Sequence, residues 1–150
     1  MSDTPFAVCT GEVKIGANAG AAVSVKDAVV SLKLFTTRAK VTIPATWGTG
    51  AETPKAGGTT YELELDFLPD DTSASSLFSM LFDATDPTDN PTGELYFEAR
   101  MHDSGPVGVD NPTWSGTFIA TDVAIGGASN TAARHSARFP LTGRPTKATA

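Results

Sequence analysis

Along YELELDF, residues 61–67, apolar Tyr61, Leu63, Leu65 and Phe67 alternate with Glu62, Glu64 and Asp66. A period of two is that of a β-strand with one buried face. GELYFEARMH (93–102) repeats it: Leu95, Phe97, Ala99 and Met101 face one way, and Glu94, Tyr96, Glu98, Arg100 and His102 the other. EVKIGA (12–17), TWSGTFIATDVAIG (113–126) and TAARHSARFPLTG (131–143) read as further strands, the last two flanking the turn GASN. AVVSLKLFTTRAKVTI (28–43) is long and β-branched, and its parity shifts near Thr36 and Thr37. That predicts one bent strand or two strands meeting at a bulge. The period changes once, where Leu77, Phe78, Leu81 and Phe82 form one helical face. It predicts a helix over about 73–83, capped by Asp71, Thr72 or Ser73. PATWGTGAETPKAGG (44–58) is long for a hairpin connection, and loops of that length are usually functional. The expected fold is mainly β: a single domain over 1–150, an antiparallel sandwich or barrel with one flanking α-helix.

The stripe Glu62, Glu64, Asp66 poses a problem, because like charges about 7 Å apart repel unless something faces them. If strand 36–43 returns as strand 59–66, one register sets Lys40 opposite Glu62, Arg38 opposite Glu64 and Thr36 opposite Asp66. It also sets Val41 against Tyr61 and Ala39 against Leu63, so base meets acid and apolar meets apolar. Asp66, Glu94 and Glu98 are then the less compensated carboxylates, with Arg100 the only base on their face.

Charge narrows the function. The net charge is −6 and the pI about 4.7, which disfavours tight binding to nucleic acid or a polybasic membrane anchor. Of 17 acids, 12 lie between Glu52 and Asp103, while Arg134, Arg138, Arg144 and Lys147 follow Asp122 with no acid among them. An acidic middle and a basic end can attract neighbouring copies. The single cysteine, Cys9, excludes an internal disulfide, and the N-terminus has no apolar signal-like run.

Signals for chemistry are weak. His102 and His135 have no ligands at metal spacing, and WGTG (Gly48, Gly50) lacks the continuation of a phosphate loop. Asp83, Asp86, Asp89 and Asn90 suggest a calcium loop but miss its alternating spacing. Glu62, Glu64, Glu94 and Glu98 could form an acid/base pair only at a set separation. No enzyme activity, cofactor or metal is expected.

The C-terminal WSGTFIATDVAIGGASNTAARHSARFPLTGRPTKATA (114–150) is more specific. Ser115, Gly116, Thr117 and Thr121, followed by Pro140, Thr142, Gly143, Thr146 and Lys147, resemble the major tail proteins of long-tailed bacteriophages, especially those infecting actinobacteria. KLFTTRAKVTIPATWGTGAETPKAGGTTYELELDF (33–67) and LPDDTSASSLFSMLFDA (68–84) are similar to that family's strand–loop–strand and acidic helix start. The likeness runs from about residue 26 onward.

The resemblance implies a structural virion role in the phage tail, assembled in the host cytoplasm. Subunits would form hexameric rings stacked into a tube, meeting tape measure, tail terminator and tail-tip proteins. DNA would transit the lumen without specific binding, and no membrane is involved. By position, the loop joining subunits would be Pro44 to Gly58, with Trp47 its anchor and Gly48, Gly50, Lys55, Gly57 and Gly58 within it. Arg144 and Lys147 are candidates for a C-terminal interface. Lumen candidates are Glu62, Glu64, Asp66, Glu94 and Glu98, the first two paired with Lys40 and Arg38. Segments 1–25 and 143–150 are expected to be extended or to order on assembly. The alternatives are a decoration or head–tail joining subunit on a related sandwich, or a carbohydrate-binding module.

Overall fold

A computed structural model describes residues 11–68, 76–101, 106–124 and 134–149. The elements are β1 (Glu12–Gly16), β2 (Val23–Ser24), β3 (Val29–Ile43), β4 (Thr53–Phe67), α1 (Leu77–Ala84), β5 (Glu94–Arg100), β6 (Thr113–Ile119), β7 (His135–Pro140) and β8 (Thr146–Ala148). They form two antiparallel sheets. One runs β2–β1–β5–β6–β8 and the other β3–β4–β7. The protein is therefore a β-sandwich with one short helix beside it.

The alternating patterns bury the faces they predict. Leu63, Leu65 and Phe67 of β4 and Phe97 of β5 are fully buried, as are Ile15, Phe118 and Phe139. Phe118 links the layers, its ring 6.1 Å from Phe97 in its own sheet and 5.2 Å from Phe139 in the other. Met101 departs from the expected pattern. It lies just past the end of β5 and is 61% exposed.

The helix is shorter than expected and starts later. Ser76 is its N-cap, accepting a bond from Ser79 N–H through its hydroxyl, 3.3 Å. The expected caps Asp71, Thr72 and Ser73 lie outside the described residues. Leu77, Leu81 and Ala84 face the core, while Phe82 stays half exposed and stacks on Phe78 at 6.3 Å.

The C-terminal motif has a structural meaning. Pro140 ends β7 beside Glu62, in the three-stranded sheet. Leu141 N–H then donates to Tyr61 O (2.9 Å), and Leu141 also bridges to Phe118. Thr142 N–H donates to Thr117 O of the other sheet (3.0 Å), and β8 continues along β6. PLTG thus carries the chain from one sheet to the other. Among the described residues near the termini, Glu12–Gly16, Val23–Ser24 and Thr146–Ala148 are strands of the five-stranded sheet: β1 carries fully buried Ile15, and β8 sets Lys147 Nζ 5.5 Å from the Trp114 ring centroid. Lys147 therefore packs on its own chain.

Candidate assembly surface

The hairpin of β3 and β4 corrects the expected register. Lys40 stands opposite Ala56, Arg38 opposite Thr59 and Thr36 opposite Tyr61. The proposed Lys40–Glu62, Arg38–Glu64 and Thr36–Asp66 pairs do not form. Instead Leu34 meets Leu63, Leu32 meets Leu65, Lys33 meets Glu64 and Ser31 meets Asp66. Burial decides this. Leu63 and Leu65 lie wholly within the core and need large apolar partners, which Leu34 and Leu32 supply and Ala39 does not.

The register also slips twice. Val30 is an extra residue on β3, and Gly57 and Gly58 together oppose Ala39. These are β-bulges, and the second lies two residues from the predicted parity shift. A Cβ at Gly57 would stand 3.0 Å from Val41 Cγ2 and 3.2 Å from Ala39 Cβ, so the bulge brings backbone and neighbours close.

The connection is consequently shorter than the expected Pro44–Gly58 loop. β4 begins at Thr53, so Lys55, Gly57 and Gly58 belong to a strand, and only residues 44–52 turn. Beyond Thr36 and Tyr61 the two strands leave the sandwich as a two-stranded arm. Apart from half-buried Gly57, every residue from Thr36 to Thr60 is exposed. At about 3.4 Å per residue the arm reaches roughly 20 Å past the sandwich. Its tip is ordered by its own bonds. Thr49 N–H donates to the Thr46 hydroxyl (3.2 Å), Thr46 N–H to the Thr49 hydroxyl (3.1 Å), and Gly50 N–H to Thr46 O (2.7 Å). Gly50 takes φ 64, a left-handed conformation that favours glycine. Trp47 stands fully in solvent on this tip, and Val41 and Ile43 along the arm are also exposed. A large aromatic ring on a solvated projection is costly to leave uncovered, and such residues anchor interfaces.

The carboxylate stripe is answered from a direction the sequence reading missed. β7 lies on the far side of β4 and brings two arginines to it. Arg134 grips Asp66 in a fork, with Nε 2.8 Å from Oδ1 and Nη2 on Oδ2. Arg138 Nε lies 3.3 Å from Glu62 Oε2, and its guanidinium sits 3.9 Å over the Phe35 ring. Glu64 lies between Lys33 and Arg138. Three acids thus meet three bases. Asp66, which the sequence left least compensated, is the most firmly held.

The Arg134 fork lowers the pKa of Asp66 below its ordinary 3.8, chiefly through the hydrogen bonds. A depressed carboxylate adds stability that is present above its unfolded pKa and lost as pH falls through the folded one. Replacing Arg134 with Ala is therefore expected to return the Asp66 midpoint toward 3.8 and to flatten the acid limb of the stability curve. A carboxyl-carbon NMR titration of both proteins reads this directly.

The outer face of the five-stranded sheet is different. Glu98 lies between Lys14 and Ser115, and Arg100 between Glu12 and Thr113. The Tyr96 hydroxyl donates to Glu98 Oε1 (3.2 Å), and burial raises its pKa. Glu94, at the end of β5, is exposed. In the turn before it, Asp86 Oδ1 accepts from Thr88 N–H (2.9 Å) and Asn90 Oδ1 from Gly93 N–H (3.1 Å). Those oxygens hold the turn. Cys9 and His102 lie outside the described residues. His135 sits beside Phe67, their ring centroids 6.1 Å apart.

The sequence matches no protein-family model and no curated protein. The fold does have solved counterparts. One is a chain of the virion of a native gene transfer agent particle, similar with a TM-score of 0.56 and 11% identity. The match spans 90% of this chain and 94% of that one, so the shared feature is the whole sandwich and not a fragment of it.

Proposed function

We propose that this chain is a structural virion protein without catalytic activity, which self-assembles into stacked hexameric rings forming a phage tail tube. The end-to-end fold likeness to a chain of a gene transfer agent virion is the observation that carries the reading. The projecting arm supports it, because a solvated Trp47 with Val41 and Ile43 behind it is built to be covered by another subunit. The tube would conduct DNA without binding it. A lining with acidic excess suits that role, since a basic one would hold the phosphates by counterion release. Glu94 is the better lining candidate, because Glu62, Glu64 and Asp66 are matched by Arg138, Lys33 and Arg134, and Glu98 stands opposite Lys14. Partners in this role are further copies of the chain and the tape measure, terminator and tip proteins of the tail.

Concentrated pure protein is expected to form rings or tubes visible by negative-stain electron microscopy. A protein that stays monomeric at every concentration and salt would instead favour a decoration subunit. Trp47→Ala should weaken assembly while shifting folding stability by less than about 0.5 kcal/mol, because the ring touches nothing in the isolated subunit. Sedimentation and thermal melting of the two proteins separate these effects.

A further inference from the structure

The arm and the body carry opposite charge. Between Thr36 and Thr60 there are three bases, Arg38, Lys40 and Lys55, and one acid, Glu52. The remaining residues hold 16 acids and 8 bases. One part of that acidic excess has no ion-pair partner among the described residues. Asp83, Asp86 and Asp89 follow one another through the end of α1 and the turn into β5, and among the described residues no base comes within ion-pairing distance of them. Asp83 also sits in the last turn of α1, where the helix dipole disfavours a carboxylate. Beside it, Phe82 is half exposed and stacked on Phe78.

These features sit at opposite ends of the sandwich. The arm departs where Leu34 and Thr36 share an open recess with Ala99, Arg100 and Met101, at the C-terminal end of β5. The acidic turn enters β5 at its other end, Glu94. The length of β5, roughly 20 Å, separates them. A basic, apolar projection and an acidic patch with an exposed ring do not meet within one chain, but they are complementary between copies. A contact between two unlike surfaces propagates head to tail.

We propose that the arm of one copy docks on the α1–β5 turn of the next. Lys55 stands opposite Val41 and so shares one face of the arm with Val41 and Ile43; on that face Lys55 meets Asp83 and Asp89, and Val41 and Ile43 cover Phe82. This rests on the tube reading and names its receiving surface. Complementary charge sets the direction and register of the contact, and the apolar residues supply its buried area.

Charge reversal tests it. Lys55→Glu reverses the docking face of the arm, and Asp83→Lys with Asp89→Lys reverses the turn; Asp86 is kept because it holds Thr88. All three positions are exposed, so both variants should keep the circular dichroism spectrum of the sandwich. Asp83→Lys should even raise the melting midpoint by about 1–2 °C, by favouring the helix dipole. Each variant alone should need about tenfold more protein to assemble. Their equimolar mixture should recover assembly, because each arm then finds an oppositely charged turn. Normal assembly of either variant alone, or a mixture no better than its parts, overturns the docking and leaves the tube reading standing. If the unaltered protein never assembles, both fail.

Discussion

Removing residues 40–56 should abolish assembly and leave a folded monomer. The cut falls beside the second bulge, so Ala39, Gly57 and Gly58 close the hairpin between Arg38 and Thr59, which already face each other. A three-residue connection rich in glycine is a common hairpin closure. What is lost is exposed: Lys40, Val41, Ile43, the whole tip and Lys55. What remains includes every buried partner of β4, with Leu32, Leu34 and the Arg138–Phe35 stack in place. The β-rich circular dichroism spectrum should therefore persist, while rings and tubes vanish from micrographs at concentrations where the full chain forms them. Tubes that persist would show that the arm is not the joining element.

The second large effect is on folding. Phe118→Ala should cost about 3–5 kcal/mol, the range for deleting a fully buried aromatic ring. Single domains have only about 5–15 kcal/mol in hand, so this variant should be marginal at room temperature. The position matters as much as the ring. Phe118 touches Phe97 in its own sheet and Phe139 in the other, and its strand neighbours Leu141 at the crossover. Its loss opens a hole between the layers. Urea denaturation of the monomeric protein measures the change. A shift under about 1 kcal/mol would mean that the two sheets hold together without this contact.

What the sequence shows depends on how local the cause is. Leu63, Leu65 and Phe67 alternate because one face is buried, and Leu77 and Leu81 recur because one helical stripe is. Both patterns lie within a few residues and could be read directly. The hairpin register could not. Charge matching favoured Lys40 opposite Glu62, whereas the structure follows the need of Leu63 and Leu65 for Leu34 and Leu32. Residues 53–58 carry no strand signal, since an arm bathed in solvent on both faces has no reason to alternate. The partners of the carboxylate stripe were hidden by distance along the chain: Arg134 is 68 residues from Asp66. A clue was present in the run of bases after Asp122, but it was read as a surface for other copies and not as the stripe's own counter-charge. Trp47 lies in the connection between β3 and β4. Its full exposure on a raised tip follows from the length of the paired arm, which no local pattern carried.

The glycine pair at the base of the arm sets the mechanics of anything built from it. Beyond Thr36 and Tyr61, where the glycine bulge follows, the ribbon is two strands wide with no layer behind it; before them it is part of a packed sandwich. Bending stress on a polymer joined through such arms concentrates at that change in thickness. The sandwiches move as stiff blocks and the ribbons flex between them. Were copies joined through such arms, their polymer would curve by many small rotations at Ala39, Gly57 and Gly58, with the contacts inside each block kept.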